Sequence, residues 1–241
     1  MNAQLELRRL ARSFGRLQVL EDISFSLPAG EVLGIIGPNG AGKTTLFNLI
    51  AGDLAPDNGQ ILFEGEDITR LSAARRCLRG IGRTYQIPHP FAGMTVYENV
   101  LVGASFGAGR SEREARAPAQ DALERTGLLG KANRLAGSLP LLDRKRLELA
   151  RALATDPKVL LLDEIAGGLS DPEVTELLRM IDTIRRTGIS MIWIEHIVHA
   201  LMAVADHLLV LDAGLVLTQG RPQAVMADPR VKEVYLGMAL E

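Results

Sequence analysis

The chain has 241 residues, 47% of them hydrophobic and 23% charged, which is enough for one large or two small packed domains and excludes a disordered chain. With 27 basic and 29 acidic residues its net charge is -2, so no bulk electrostatic attraction draws it to nucleic acid or an anionic membrane surface. The single cysteine, Cys77, cannot close an internal disulfide, which suits a reducing compartment and a packing role.

The chain opens with "MNAQLELRRLARSFG", which lacks the apolar core of a signal peptide, and no stretch reaches the ~20 apolar residues of a membrane span. A membrane role is therefore expected only through a partner. Period-two alternation through "QLELRRLARSF" and then Ile23, Phe25 and Leu27 predicts antiparallel strands with one solvated face. "EVLGIIG" follows as a continuously apolar strand, and "KTTLFNLIAG" as a helix stopped by Gly52. A hairpin is expected in "DNGQILFEGEDI", and the segment from about Pro88 to Ala154 reads as mostly helical, with "SEREARAPAQDALERTG" as an exposed amphipathic piece. The remainder alternates strand and helix through "KVLLLD", "DPEVTELLRMIDTIRRTG", "ISMIWI", "HIVHALMAVA", "HLLVLD" and "LVLTQG", with a turn at Ala213 and Gly214. Apolar strands alternating with helices predict an α/β fold with a mainly parallel sheet covered on both faces.

The loop between the first apolar strand and its helix is "GPNGAGKTT", which fits the pattern G-x-x-x-x-G-K-[ST] with the strand before it and the helix after it. Gly37, Pro38, Asn39, Gly40, Ala41, Gly42, Lys43, Thr44 and Thr45 form it. Its glycines let backbone N–H groups wrap phosphate oxygens, and the helix dipole adds to the attraction. Lys43 can reach the β- and γ-phosphates of a nucleotide, and the Thr44 hydroxyl is placed to ligate Mg²⁺. This is the phosphate loop of a P-loop NTPase core. "KVLLLDEIAGGLS" then sets Asp163 and Glu164 just past an apolar strand, at the edge where open α/β sheets bind ligands. Asp163 can hold a Mg²⁺ shell and Glu164 can polarise an attacking water as general base, although an acid there also suits a chain that is simply surfacing.

With these residues in place the whole chain resembles the ATP-binding subunits of ABC transporters. "RTYQ", ending at Gln86 and followed by "MTVYENV", looks like that family's glutamine loop, and "WIEH", ending at His196, looks like its switch histidine. The resemblance implies that Gln86 contacts Mg²⁺ and the water, that His196 reaches the γ-phosphate, and that Phe14 stacks on adenine; packing in the small sheet is the alternative for Phe14. The neighbouring His199 reads as a solvated helix residue. The resemblance also implies one ATPase domain over residues 1–241, with residues 1–86 and 155–241 forming the nucleotide-binding core and its antiparallel β subdomain, and 87–154 an inserted helical subdomain. "RTYQ", the "IEH" ending and the tail "DPRVKEVYLG" are most similar to the ATPases of branched-chain amino acid uptake and their relatives for amides and urea. The implied partners are membrane permease subunits, a second ATPase subunit and, indirectly, a solute-binding protein, at the cytoplasmic face of the membrane. No nucleic acid is expected. Phe91, Met94 and Tyr97 in "IPHPFAGMTVY" are expected to line a socket for a permease helix, with core packing as the alternative for each.

One departure is large. Where the family carries its signature L-S-G-G-Q, this chain has Leu139, Pro140, Leu141, Leu142 and Asp143. In the family that serine and those glycines bind the γ-phosphate held by the partner subunit. Pro140 offers neither hydroxyl nor N–H, Leu142 is expected to block close approach, and Asp143 to occupy and repel at the anion position of the helix end. Losing two charge-assisted hydrogen bonds, at roughly 1.5–3 kcal/mol each, would cost about 3–6 kcal/mol, or roughly 10² to 10⁴ in rate. The alternative is that Ser138 or Lys145 replaces the lost donors. Ile165 and Ser170, where proline and aspartate are usual in the family, are smaller departures. A heterodimer with a sound partner signature would keep one working site built on this chain, whereas a homodimer would have two defective ones. The expected function is an ATPase that powers solute import; the alternatives are a nucleotide-binding regulatory subunit with weak or no hydrolysis and a soluble ABC ATPase acting on DNA or ribosomes, which the absence of a second cassette and of a basic stripe disfavours.

Overall fold

The structure, a computed structural model, describes residues 3–236. The alternating pattern at the start becomes two long antiparallel strands, β1 (Ala3–Phe14) and β2 (Leu17–Pro28), which bury Leu5, Leu7, Leu10, Ile23, Phe25 and Leu27 on one face. The apolar run then forms β3 (Val32–Ile36), and the phosphate loop leads into α1 (Lys43–Ala51), which ends at Gly52 in the left-handed conformation that favours glycine. The predicted hairpin is β4 (Asn58–Phe63) and β5 (Glu66–Asp67), and it completes a four-stranded sheet in the order β2-β1-β4-β5.

Next come α2 (Ala73–Leu78) and β6 (Ile81–Arg83). Residues 87–95 form no helix. The helical region begins at α3 (Val96–Val102), whose first turn is closed by a capping box between Thr95 and Glu98. It continues through one π-helical turn, Gly103–Gly107, to α4 (Glu112–Arg125) and α5 (Leu141–Ala154), and these helices pack on one another. The chain then alternates through β7 (Val159–Asp163), α6 (Asp171–Arg185), β8 (Ser190–Ile194), α7 (Val198–Val204), β9 (His207–Asp212), β10 (Leu215–Gly220), α8 (Pro222–Ala227) and α9 (Pro229–Leu236). Ser170 and Glu173 close a capping box on α6, which gives Ser170 a structural task of its own.

The larger sheet has the order β10-β9-β3-β8-β7-β6 and is parallel except for β10. Its central strands are buried on both faces. In β7, Leu160 and Leu162 enter one core with α4, α5 and α6, while Val159 and Leu161 enter a second core beneath α1 and the small sheet. That division explains why these strands read as continuous apolar runs rather than alternating ones. The fold is the expected α/β arrangement of a P-loop NTPase with an added antiparallel sheet. Among the described residues no helix is long and apolar enough to cross a membrane. Of the tail "DPRVKEVYLG", Gly237 lies outside the described residues.

Candidate active site

Because β3, β8, β7 and β6 are neighbours in that order, their carboxyl ends gather four loops that are distant in sequence. β3 leads to the phosphate loop, β7 to Asp163 and Glu164, β8 to Glu195 and His196, and β6 to Gln86. The four motifs therefore converge on one sheet edge, whereas Phe14 and Leu139–Asp143 stand on other elements.

The phosphate loop is tightly constrained. A Cβ on Gly37 would fall 2.0 Å from the Leu211 carbonyl oxygen, and Gly42 combines φ +99° with a would-be Cβ 2.9 Å from the Val19 carbonyl, so both positions need glycine. The Ala41 N–H donates to the Pro38 carbonyl at 3.3 Å, with Ala41 buried and Asn39 and Gly40 exposed at the tip. Lys43 is only 6% exposed, and its ammonium donates to the Gly37 and Pro38 carbonyls at 2.7 and 2.9 Å. Burial holds its pKa below that of an ordinary lysine, against the opposing pull of Glu164 and Asp163. Among the described residues it makes no direct ion pair, so a buried cation lies in a loop lined with carbonyls. That arrangement fits an anionic oxygen. Thr44 is exposed on the first turn of α1, and Thr45 is half-buried beside it.

Asp163 ends β7 and is buried, with Oδ2 3.3 Å from Nη2 of Arg83. Burial raises its pKa, which Arg83 partly counters. Glu164 follows at φ +46°, a left-handed conformation uncommon for a residue other than glycine and a form of strain that recurs at reactive sites. Its N–H donates to the Ile194 carbonyl at 2.9 Å. Its carboxylate is held from two sides: Nε2 of Gln86 donates to Oε2 at 2.5 Å, and Nε2 of His196 lies 2.7 Å from Oε1. A carboxylate so placed can take a proton from a water at the phosphate loop. Thr44, Asp163 and Gln86 supply one hydroxyl, one carboxylate and one amide oxygen. That hard-oxygen set suits Mg²⁺, which keeps most of its other positions for water and phosphate. Among the described residues no cluster of three or more His, Cys, Asp or Glu could hold a metal alone.

Three residues here escaped the sequence reading of roles. Arg83, inside "RTYQ", donates to Asn48 Oδ1 at 2.7 Å and Asp53 Oδ2 at 2.8 Å as well as reaching Asp163. Glu195, inside "IEH", is buried and accepts the Ala166 N–H at 2.7 Å and the His196 N–H at 3.1 Å, so it ties the loop after Glu164 to His196. Burial raises its pKa despite those donors. Lys145, weighed only as a substitute phosphate ligand, is buried on α5 with Nζ 3.5 Å from the Glu164 carbonyl. Each lies one to three residues from a motif residue; for Arg83 and Glu195 a charge at a strand end was the available signal, whereas Lys145 sits within α5 and offered none.

The signature region needs correction. Pro140 caps α5 with no side-chain hydrogen bond, and Pro140 and Leu141 are exposed, Leu141 at 43%. Leu142 and Asp143 are not exposed: Leu142 is buried, and the buried Asp143 carboxylate accepts from Lys131 at 2.5 Å and Arg146 at 3.4 Å. The obstruction expected of Leu142 belongs to Leu141, and the repulsion expected of Asp143 is neutralised by two internal cations. Lys145 also faces inward, so of the two substitute donors only Ser138 stays at the surface, its hydroxyl donating to the Leu135 carbonyl at 2.8 Å.

Elsewhere, Phe14 is 45% exposed with the Arg12 guanidinium 4.9 Å over one face of its ring, and His199 is exposed on α7. Phe91 is likewise 45% exposed, Met94 is half-buried, and Tyr97 packs against the main core. The core alternative therefore holds for Tyr97 and not for Phe91. Ile165 is buried, and the half-buried Cys77 thiol lies 3.6 Å from the Gly107 carbonyl, as its packing role requires.

Comparison with known proteins agrees with this geometry. The family model for ABC transporters matches residues 20–167, and one for branched-chain amino acid ATP-binding cassette transporters matches residues 216–237. The chain is 37% identical to the high-affinity branched-chain amino acid transport ATP-binding protein BraF of Pseudomonas aeruginosa, over 98% of both chains. It is 34% identical to the lipopolysaccharide export system ATP-binding protein LptB of Haemophilus influenzae, over 97% of both. Among solved structures it superposes on a nucleotide-free ATP-binding cassette of an ABC transporter with a TM-score of 0.90 at 34% identity, covering 98% of this chain and 100% of that one. A second cassette, in its ADP conformation, gives a TM-score of 0.90 at 33% identity, covering 99% and 100%.

Proposed function

The chain belongs to the ATP-binding subunits of ABC transporters, which couple ATP hydrolysis to transport, and from that premise we propose that it powers uptake of branched-chain amino acids or a related amide through a membrane permease. The observation that carries the hydrolytic part is the Glu164 carboxylate held between Gln86 and His196 at the phosphate-loop edge of the sheet. The cargo rests on the C-terminal match to the branched-chain family and on the BraF likeness. Lipopolysaccharide export is the second reading, favoured by the LptB likeness.

In the proposed division of work, the backbone from Gly37 to Thr45 and the Lys43 ammonium bind the phosphates, and Phe14 stacks on adenine. Thr44, Asp163 and Gln86 would hold Mg²⁺, which neutralises phosphate charge when bound. Glu164 accepts the proton of the attacking water, and His196 orients the Glu164 carboxylate and reaches toward the γ-phosphate. The core at 1–86 and 155–241 carries these residues. The helical subdomain at 87–154 presents Phe91 and its neighbours to the permease, so that the subunit sits at the cytoplasmic face of the membrane.

Exposed Pro140 and Leu141 favour pairing with a second, different ATPase subunit that carries an intact signature, with a solute-binding protein feeding the permease from the other side. The same two residues leave room for a regulatory subunit that binds nucleotide and hydrolyses it weakly. Uptake of labelled leucine, isoleucine and valine by cells lacking this chain tests the cargo. Uptake should return with the wild-type chain and not with Glu164→Gln. Unchanged uptake together with loss of surface lipopolysaccharide would give the second reading.

A further inference from the structure

We infer that Arg83 is a positioning residue for ATP hydrolysis, fixing the Asp163 carboxylate from a second anchorage on Asn48 and Asp53. Its guanidinium makes three polar contacts to three different segments: Asn48 Oδ1 on α1 at 2.7 Å, Asp53 Oδ2 just past α1 at 2.8 Å, and Asp163 Oδ2 at the end of β7 at 3.3 Å. The Tyr85 ring lies 4.9 Å from Cζ and the Phe47 ring 5.9 Å, so the plane of the fork is restrained as well as its ends.

Asn48 and Asp53 both accept from Nη1, so one prong of the planar fork is pinned and the other, Nη2, is presented to Asp163 in a fixed direction, which is what a point-charge lysine cannot do. Arg83 occupies one oxygen of Asp163, leaving Oδ1 for a cation. It also spans the two elements that must keep register for hydrolysis, the helix that follows the phosphate loop and the strand that carries Asp163 and Glu164. Without it, the other cation acting on Asp163 is Lys43, and an unheld carboxylate is free to turn toward that ammonium. Arg83 and Tyr85 also line a cavity of about 310 Å³ that reaches Arg151 and Val102, so the same side chain borders both the nucleotide edge and the space between core and helical region.

The inference rests on the reading of Asp163 as the cation-holding carboxylate, and the test separates the two. Full-length protein is titrated with ATP in EDTA and again with Mg²⁺, and kcat and KM are measured in the assembled transporter. Arg83→Gln should bind ATP within about twofold of wild type in EDTA, lose at least threefold of the extra affinity that Mg²⁺ confers, and lose at least tenfold in kcat with KM for ATP within about twofold. Arg83→Lys should restore part of kcat, and Asp53→Asn, which loosens the anchor without touching the nucleotide edge, should lower kcat with the same unchanged KM. Adding Asp53→Asn to Arg83→Gln should cost nothing further. Unchanged kcat and Mg²⁺ gain in Arg83→Gln would overturn the inference. So would an equal loss of affinity in EDTA, which would make Arg83 merely structural. If Asp163→Asn keeps the full Mg²⁺ gain, the reading of Asp163 fails, and the role of Arg83 fails with it.

Discussion

Nε2 of His196 lies 2.7 Å from Oε1 of Glu164, while Gln86 holds the other oxygen of the same carboxylate from the opposite side. Three loops from three adjacent strands thus meet on one general-base candidate. Glu164→Gln keeps the shape and removes the proton acceptor. It should leave ATP binding intact and lower turnover in the assembled complex by about 10² to 10⁴. Equal hydrolysis rates in mutant and wild type would remove Glu164 as the base.

Lys43 supplies the only charge inside the phosphate loop, where it rests on two carbonyls. Lys43→Ala should weaken ATP binding at least tenfold, since the β- and γ-phosphates would be left under-neutralised. Nucleotide titration checks this, and unchanged affinity would sink the phosphate-loop assignment.

Glu195 uses both oxygens to accept backbone N–H groups, one from Ala166 and one from His196. An amide has only one accepting atom, so Glu195→Gln turns an NH₂ onto one of these donors and strands it, a loss of about 1–3 kcal/mol. Turnover should fall more than nucleotide affinity, because Ala166 and His196 flank Glu164 rather than the phosphate loop. A variant with wild-type kcat would show that the clamp is not needed.

Glu148 is buried on α5, faced by Arg151 at 3.1 Å, yet burial still raises its pKa. A carboxyl with a folded-state pKa above its unfolded one favours folding while protonated, and that stability is lost as pH rises from the unfolded value through the folded one. Glu148→Gln removes the loss. Its thermal stability relative to wild type should therefore be better at about pH 8 than at about pH 5. The same difference at both values, or the opposite trend, would contradict it.

Phe91 stands 45% exposed with the Arg151 guanidinium 5.0 Å over its ring, and its backbone is clamped by the buried Asn99. Phe91→Ala should thus fold, bind nucleotide normally and fail to couple hydrolysis to uptake. Unfolding of the variant would return Phe91 to the core.

The parts legible in the sequence were those set by local chemistry. The phosphate loop is a strand, a turn and a helix within a few residues, and Asp163 with Glu164 follows a short apolar run of strand length. Arg83 and Glu195 lay inside quoted motifs, but their partners come from other strands. Only the order β3-β8-β7-β6 and the pairing of Asp163 with Ile194 bring Glu195 beside the loop after Glu164. Leu142 and Asp143 were misread for a similar reason. Their position at a helix start suggested exposure, but Lys131, twelve residues earlier at the end of a 3₁₀ turn (Leu129–Lys131), draws the carboxylate inward. Local periodicity carries no information about such a partner.

That correction narrows the design of the decisive variant. Leu142→Gly and Asp143→Gln would hollow out a buried site and strip Lys131 and Arg146 of their counter-ion, so only the exposed pair should be restored, as Pro140→Ser with Leu141→Gly. The measurement is the ATPase rate of this subunit alone, at concentrations that force self-association, and mixed with the second ATPase subunit of its transporter. The subunit alone should bind nucleotide and hydrolyse it very slowly, mixing should raise the rate sharply, and the Pro140→Ser/Leu141→Gly homodimer should turn over measurably, since its helix end regains a hydroxyl and an unobstructed approach to its N–H groups. Brisk hydrolysis by the unmodified subunit on its own would contradict this, and would mean that a surface group such as Ser138 already serves the phosphate.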